Sequence, residues 1–173
     1  EPGIGFIVTG ESREKVTISG LVAYNLVQPL YFQPGWRRSE VRISESFFRQ
    51  NQSGEPLIYV SSTSQYRGSE SQVKLTFNRC RFFNNRGGVF FQAADDPGLE
   101  LQFSNSVWAG NRLRGKQSSG VYRNPLFLQL QNMNPQQTLN FSQLAFADNA
   151  LANTNESTEI SIGVAGPADQ VKL

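Results

Sequence analysis

Leu75-Thr76-Phe77-Asn78, followed by Phe82 and Asn85, is one copy of a spaced motif that recurs along this chain of 173 residues. Val41-Arg42-Ile43-Ser44 leads in the same way to Phe48 and Asn51, Leu101-Gln102-Phe103-Ser104 to Trp108 and Asn111, and Leu139-Asn140-Phe141-Ser142 to Phe146 and Asn149. Counted from the second apolar residue of each copy, an aromatic falls at +5 and an Asn at +8. Val16-Thr17-Ile18-Ser19, with Tyr24 and Asn25, reads as an earlier copy that is one residue shorter. A repeat spaced by 25 to 38 residues marks a stacked, quasi-one-dimensional fold in which each unit buries its apolar face against its neighbours.

Within each copy the apolar residues at −2 and 0 flank one polar residue, the period-two alternation of a short strand with one buried face. The step from 0 to +5 is odd, so both residues can face one core only if the chain turns a corner between them. The short polar residues at +1 (Ser19, Ser44, Asn78, Ser104, Ser142) are expected to make that corner, and the Asn at +8 a second one. A further strand is expected in each repeat at 29–32, 56–60, 88–91, 125–128 and 159–162, often opened by Pro or Gly. Its inward columns read as Leu30, Leu57, Val89, Leu126 and Ile160, then Phe32, Tyr59, Phe91, Leu128 and Ile162.

Three short strands and two or three corners per repeat predict an all-β fold: a single-stranded right-handed parallel β-helix of about five coils with long loops. Equivalent residues would then stack about 4.8 Å apart. Phe48, Phe82, Trp108 and Phe146 would form an internal aromatic ladder, and Asn51, Asn85, Asn111 and Asn149 an amide ladder. The surplus residues fall in loops at 61–72, 112–124, 132–137 and 149–157, rich in Ser, Gln, Gly and Asn. One domain is expected over 1–173, with 1–14 as cap or first coil, 15–165 as coils and 166–173 as a tail, the whole a segment of a longer protein. The start at Glu1 rather than Met suits an excised domain or a processed product.

Composition narrows the chemistry. The chain has no His, which removes the commonest general base and transition-metal ligand, and a single Cys80, which excludes an internal disulfide framework. No cofactor or metal is expected. A net charge of +2 gives no basic stripe for nucleic acid, and no run approaches the ~18 apolar residues of a membrane span.

The Phe-x-x-Asn elements at Phe48–Asn51, Phe82–Asn85 and Phe146–Asn149, with Trp108–Asn111 as a variant, combine with Gly87-Gly88-Val89 into a known pair of elements. Together they resemble the repeats of chlamydial polymorphic outer-membrane proteins. The Val-x-Ile-Ser-x-x-x-Phe pattern is similar to the pectate-lyase-like superfamily of right-handed β-helices. The resemblance spans roughly residues 15 to 165. It implies a β-helical fold and, from the first family, a surface adhesin that is extracellular or exposed at the cell surface.

Candidate functional residues each have a plain structural reading beside them. Asp95 and Asp96, in Ala-Ala-Asp-Asp-Pro-Gly, suit a β-turn; as a carboxylate pair they are the only catalytic candidates. Arg86, Arg112, Arg114, Lys116 and Arg123 concentrate positive charge, with Arg79 and Arg81, within two repeats, and together with Tyr122 suit an acidic glycan or acidic protein surface. Trp36 and Arg37 pair an aromatic with a cation on a loop. Cys80, at +3, reads as a small buried hydrophobe and Trp108 as core. Three sequons occur, at Asn51, Asn140 and Asn155, of which Asn155 is the glycosylation candidate. The leading expectation is a non-enzymatic surface module for adhesion, binding or end-to-end assembly with further coils or subunits. The rival is a polysaccharide lyase or hydrolase relative with an incomplete site.

Overall fold

The computed structural model describes residues 4–10, 15–34, 38–53, 56–61, 72–87, 90–94, 98–113, 116–117, 120–121, 128–131, 137–151, 162–165 and 171–172. Among them the chain is all-β, with strands in four parallel sheets, one short antiparallel pair and no helix. Sheet I holds the motif strands Lys15–Ser19, Arg38–Ser44, Gln72–Asn78, Gly98–Ser104 and Gln137–Ser142, with Val171–Lys172 at its end. Sheet II holds the strands around +5: Val22–Tyr24, Phe47–Arg49, Arg81–Phe83, Val107–Ala109 and Ala145–Ala147. Sheet III is made of two-residue strands, Gln52–Ser53, Arg86–Gly87, Arg112–Leu113 and Ala150–Leu151. Sheet IV holds Ile4–Gly10, Gln28–Pro34, Ile58–Ser61, Phe91–Ala94, Leu128–Gln131 and Ile162–Ala165. Each full repeat visits sheets I, II, III and IV in turn before the next begins one layer further on, an arrangement compatible with a parallel β-helix.

The register aligns the motif with itself. Val16, Val41, Leu75, Leu101 and Leu139 pair in one column, and Ile18, Ile43, Phe77, Phe103 and Phe141 in the next. The +5 rings stack as expected: Phe48 on Phe82 at 4.9 Å between centroids, Phe82 on Trp108 at 4.9 Å and Trp108 on Phe146 at 5.0 Å. Phe90 closes the core edge-on against Phe82 and Trp108. These rings fill one continuous core, in which Phe77, Phe82, Phe90, Phe91 and Phe103 have no exposed surface.

The Asn column is the polar counterpart. Asn85 Nδ2 donates to Asn111 Oδ1 (2.8 Å) and to the Phe48 carbonyl (3.1 Å). Its Oδ1 accepts from the Asn51 amide N–H (3.1 Å) and Asn51 Nδ2 (2.9 Å). Asn111 repeats the pattern, donating to Asn149 Oδ1 and the Phe82 carbonyl and accepting from Asn85 twice. An amide has two donors and two lone pairs, and these two residues use all four, which makes their complete burial tolerable.

Three expectations are corrected. The left-handed corner residues are not those at +1 and +8. They lie at +2 (Gly20, Glu45, Arg79, Asn105, Gln143) and +7 (Asn25, Gln50, Asn84, Gly110, Asp148), all with φ between 50° and 70°. The +1 side chains end their strands, and the +8 Asn points inward. Interlayer bonds hold the corners in place: Glu45 N–H donates to the Asn78 carbonyl (3.0 Å), and Gln50 N–H to the Phe83 carbonyl (3.0 Å). Those bonds oppose the roughly 1–2 kcal/mol that each non-glycine residue loses in this region.

The first copy, secondly, is not one residue shorter. Ala23 pairs with Phe48 in the aromatic column, and Asn51 Oδ1 accepts from the Leu26 N–H at 3.0 Å, so Leu26 takes the Asn place. Tyr24 therefore faces outward. In sheet IV, thirdly, the second inward column does not hold Phe32, Tyr59 and Phe91 together. Leu30, Ile58, Phe91, Leu128 and Ile162 are the register partners, and Phe32 aligns with Val60 and Ala93. Tyr59 aligns instead with Tyr31, ring centroids 5.5 Å apart, because Ile58 and Val60 take the buried face and leave the phenol at the half-buried one. The expected Val89, Leu126 and Ile160 lie outside the described residues. Ile4–Gly10 pairs with Gln28–Pro34 as a layer of sheet IV, and Val171–Lys172 places part of the tail in sheet I.

Candidate binding surfaces

The faces turned away from the core differ sharply in chemistry. On sheet I the column Lys15, Glu40, Lys74, Glu100 alternates in sign before reaching Thr138 and Lys172. Lys15 bridges Glu40 at 3.4 Å, and Lys74 bridges Glu100. The Arg42 hydrogen bond, aided by the charges of Arg42 and Lys15, holds the Glu40 carboxyl below the usual carboxylate range. At the next corner Arg79 meets Glu45 at 3.5 Å. Ser44 donates to Ser19 Oγ, and Ser104 to Asn78 Oδ1, along the +1 column. Cross-strand pairs of this kind make register errors costly.

The +3 column lines the inside of the corner. Ser46 and Ser106 are buried, and Ser106 Oγ accepts from the Cys80 N–H (3.1 Å) while donating to the Ser104 carbonyl (2.8 Å). Cys80 takes the place of a serine there, its Sγ 3.6 Å from the Ile43 carbonyl. Burial pushes its thiol up to about 11, which suits packing rather than nucleophilic attack.

Sheet III brings together two of the expected basic residues. Arg86 and Arg112 each follow a ladder Asn and are direct register partners, in the column Gln52, Arg86, Arg112, Ala150. The Arg86 N–H donates to the Asn51 carbonyl (2.9 Å) and the Arg112 N–H to the Asn85 carbonyl (2.7 Å), so the amide ladder fixes where both side chains leave the stack. Two cations on adjacent strands about 4.8 Å apart repel each other and attract an anion. Arg86 is exposed and Arg112 half-buried. In the segment read as a loop after Arg112, Lys116–Gln117 pairs antiparallel with Gly120–Val121, which places Lys116 opposite Val121.

Arg114, Tyr122, Arg123, Trp36, Arg37, Asp95, Asp96 and Asn155 lie outside the described residues. Of the other sequons, Asn51 is fully buried in its ladder, whereas Asn140 is exposed on a strand of sheet I. Among the described residues no group of three or more His, Cys, Asp and Glu could hold a metal ion, and no helix is long and apolar enough to cross a membrane.

The outer face of sheet II was missed in the sequence. Its two outward columns are Val22, Phe47, Arg81, Val107, Ala145 and Tyr24, Arg49, Phe83, Ala109, Ala147. Val22 is 60% exposed and Tyr24 52%, and the Arg49 guanidinium lies 5.0 Å above the Tyr24 ring. The available signal was the misread first copy: once Ala23 is placed in the aromatic column, Val22 and Tyr24 must face outward. Comparison with protein-family models, with curated proteins and with solved structures found no match.

Proposed function

We propose that the chain is a right-handed parallel β-helix of about five coils, acting as a non-enzymatic, extracellular or surface-exposed binding module. The residues that repeat are those that fill the core or build the amide ladder, so repetition serves a rigid scaffold. Variation is left to the outward faces and the loops, where binding specificity is carried. The resemblance of the repeats to those of surface adhesins supports the location.

The observation that carries the binding reading is the Arg86–Arg112 register pair on adjacent strands of sheet III. Its partner is an acidic glycan or an acidic protein surface, and Arg114, Lys116, Tyr122 and Arg123 extend the same basic segment. The test is binding to an array of sulfated and uronic-acid glycans and to an acidic protein, comparing the natural chain with an Arg86→Glu/Arg112→Glu variant. Affinity should fall about tenfold or more and weaken with added salt, with an unchanged circular dichroism spectrum. Undiminished binding by the variant would remove the pair from the account. Glycan turnover abolished by Asp95→Asn and Asp96→Asn would replace it with the enzymatic reading.

A further inference from the structure

We infer that the outer face of sheet II docks an acidic protein segment carrying one large apolar side chain. This deepens the binding reading above, on which it rests, by naming a second face and the kind of partner it takes. In every strand of this sheet the central residue points into the core and its two neighbours point out. The outward residues form a flat strip whose bulk changes along the stack. At one end stand Val22, Tyr24, Phe47, Arg49, Arg81 and Phe83. Phe47 and Phe83 meet edge-on at 5.4 Å, and Arg49 lies over both Tyr24 (5.0 Å) and Phe47 (5.6 Å). Beyond them the strip drops to Val107, Ala109, Ala145 and Ala147, a low apolar shelf walled by Arg81 and Phe83.

Charge selects the occupant. Arg42 and Arg79 are neutralised by Glu40 and Glu45, but among the described residues neither Arg49 nor Arg81 has a carboxylate partner, and neither outward column contains one. Two exposed guanidinium groups beside an apolar shelf complement a side chain flanked by Asp or Glu. The shelf offers no side-chain hydrogen-bonding atom. A hydroxyl-rich sugar laid there would lose water without replacement, whereas an alkyl or aryl group would gain from burial. Two cations also fall short of the polybasic cluster that holds a protein to an anionic membrane.

The test is a selection of random displayed peptides on the full chain, followed by binding measurements with the enriched sequences. Enriched peptides should place Asp or Glu around an aromatic or large aliphatic residue. Their affinity should fall about tenfold or more for Arg49→Glu/Arg81→Glu and stay unchanged for Arg86→Glu/Arg112→Glu. Amide chemical-shift changes in the unmodified chain should centre on residues 22–24, 47–49 and 81–83, a readout independent of how the variants fold. The inference is overturned by no enrichment, by peptides without acidic residues, or by binding indifferent to Arg49 and Arg81. It is equally overturned if sulfated oligosaccharides or anionic vesicles, and not peptides, shift this face. Loss of peptide binding only in the Arg86/Arg112 variant would move the partner to sheet III, leaving the earlier reading standing and this one refuted.

Discussion

Asn85 is buried, uncharged and bonded through both donors and both lone pairs to the two layers on either side of its own. Truncation at this residue differs in kind from truncation of a core ring. Phe82→Ala removes apolar contacts and leaves a cavity, costing about 3–5 kcal/mol. Asn85→Ala opens a smaller space but strands the Asn51 backbone N–H, one Asn51 Nδ2 hydrogen and the Phe48 carbonyl away from water, while Asn111 Oδ1 keeps the bond from the backbone N–H of residue 85. With each orphan worth about 1–3 kcal/mol, it should destabilise at least as much as Phe82→Ala despite the smaller volume lost. Denaturant titration of the two variants decides between them, and a loss for Asn85→Ala well below that for Phe82→Ala would count against the ladder as a source of stability. Cys80 gives a residue-scale prediction in pH. Its folded pKa is raised from 9.0 to about 11, so the folded chain keeps a proton that the unfolded chain sheds. The associated stability is complete below pH 9 and is lost as pH rises toward about 11, by on the order of 2 kcal/mol. Comparing pH profiles of unfolding with and without Cys80→Ala isolates that slope from the titration of Lys and Tyr; identical profiles would contradict it.

Among the elements, sheet I carries its register on both faces, through apolar columns inside and the Lys15, Glu40, Lys74, Glu100 alternation outside. Lys74→Glu would set three carboxylates in one column. It should cost about 0.5–1 kcal/mol, recovered in part by adding Glu100→Lys and diminished at high salt. A salt-independent loss would assign Lys74 a packing role instead. Sheets I and II were legible in the sequence because their residues repeat: an apolar pair, an aromatic and an Asn at fixed spacing leave one way to share a core. The corners were legible only in part: Gly20, Asn25, Asn84, Asn105, Gly110 and Asp148 are types that accept positive φ, but Glu45, Gln50, Arg79 and Gln143 carry no such bias. Neighbouring layers impose it through backbone bonds. In sheet IV the register departs from the one that Pro and Gly suggest as strand openers, because Leu57 and Phe90 are already buried before their strands begin. The surfaces were legible only in part. The Arg86–Arg112 neighbourhood follows from the Asn spacing, but the sheet II strip was hidden by assigning Tyr24, not Ala23, to the aromatic position of the first copy.

As a whole, the molecule is a stack whose interior is specified by repetition and whose exterior is free to differ face by face: alternating charge on sheet I, aromatics beside arginines on sheet II, neighbouring arginines on sheet III. The internal ladders keep those faces in fixed relation, so the proposed binding surfaces depend on long-range register more than on any local conformation. The measurement that tests this most directly is scalar coupling through the side-chain hydrogen bonds of the Asn column in the isotope-labelled chain. The account predicts correlations from Asn51 Nδ2 to the Asn85 side-chain carbonyl carbon, from Asn85 to Asn111, and from Asn111 to Asn149, across separations of 34, 26 and 38 residues. Side-chain amides that instead exchange rapidly with water, or correlate with residues outside this column, would contradict the stack on which every surface described above is built.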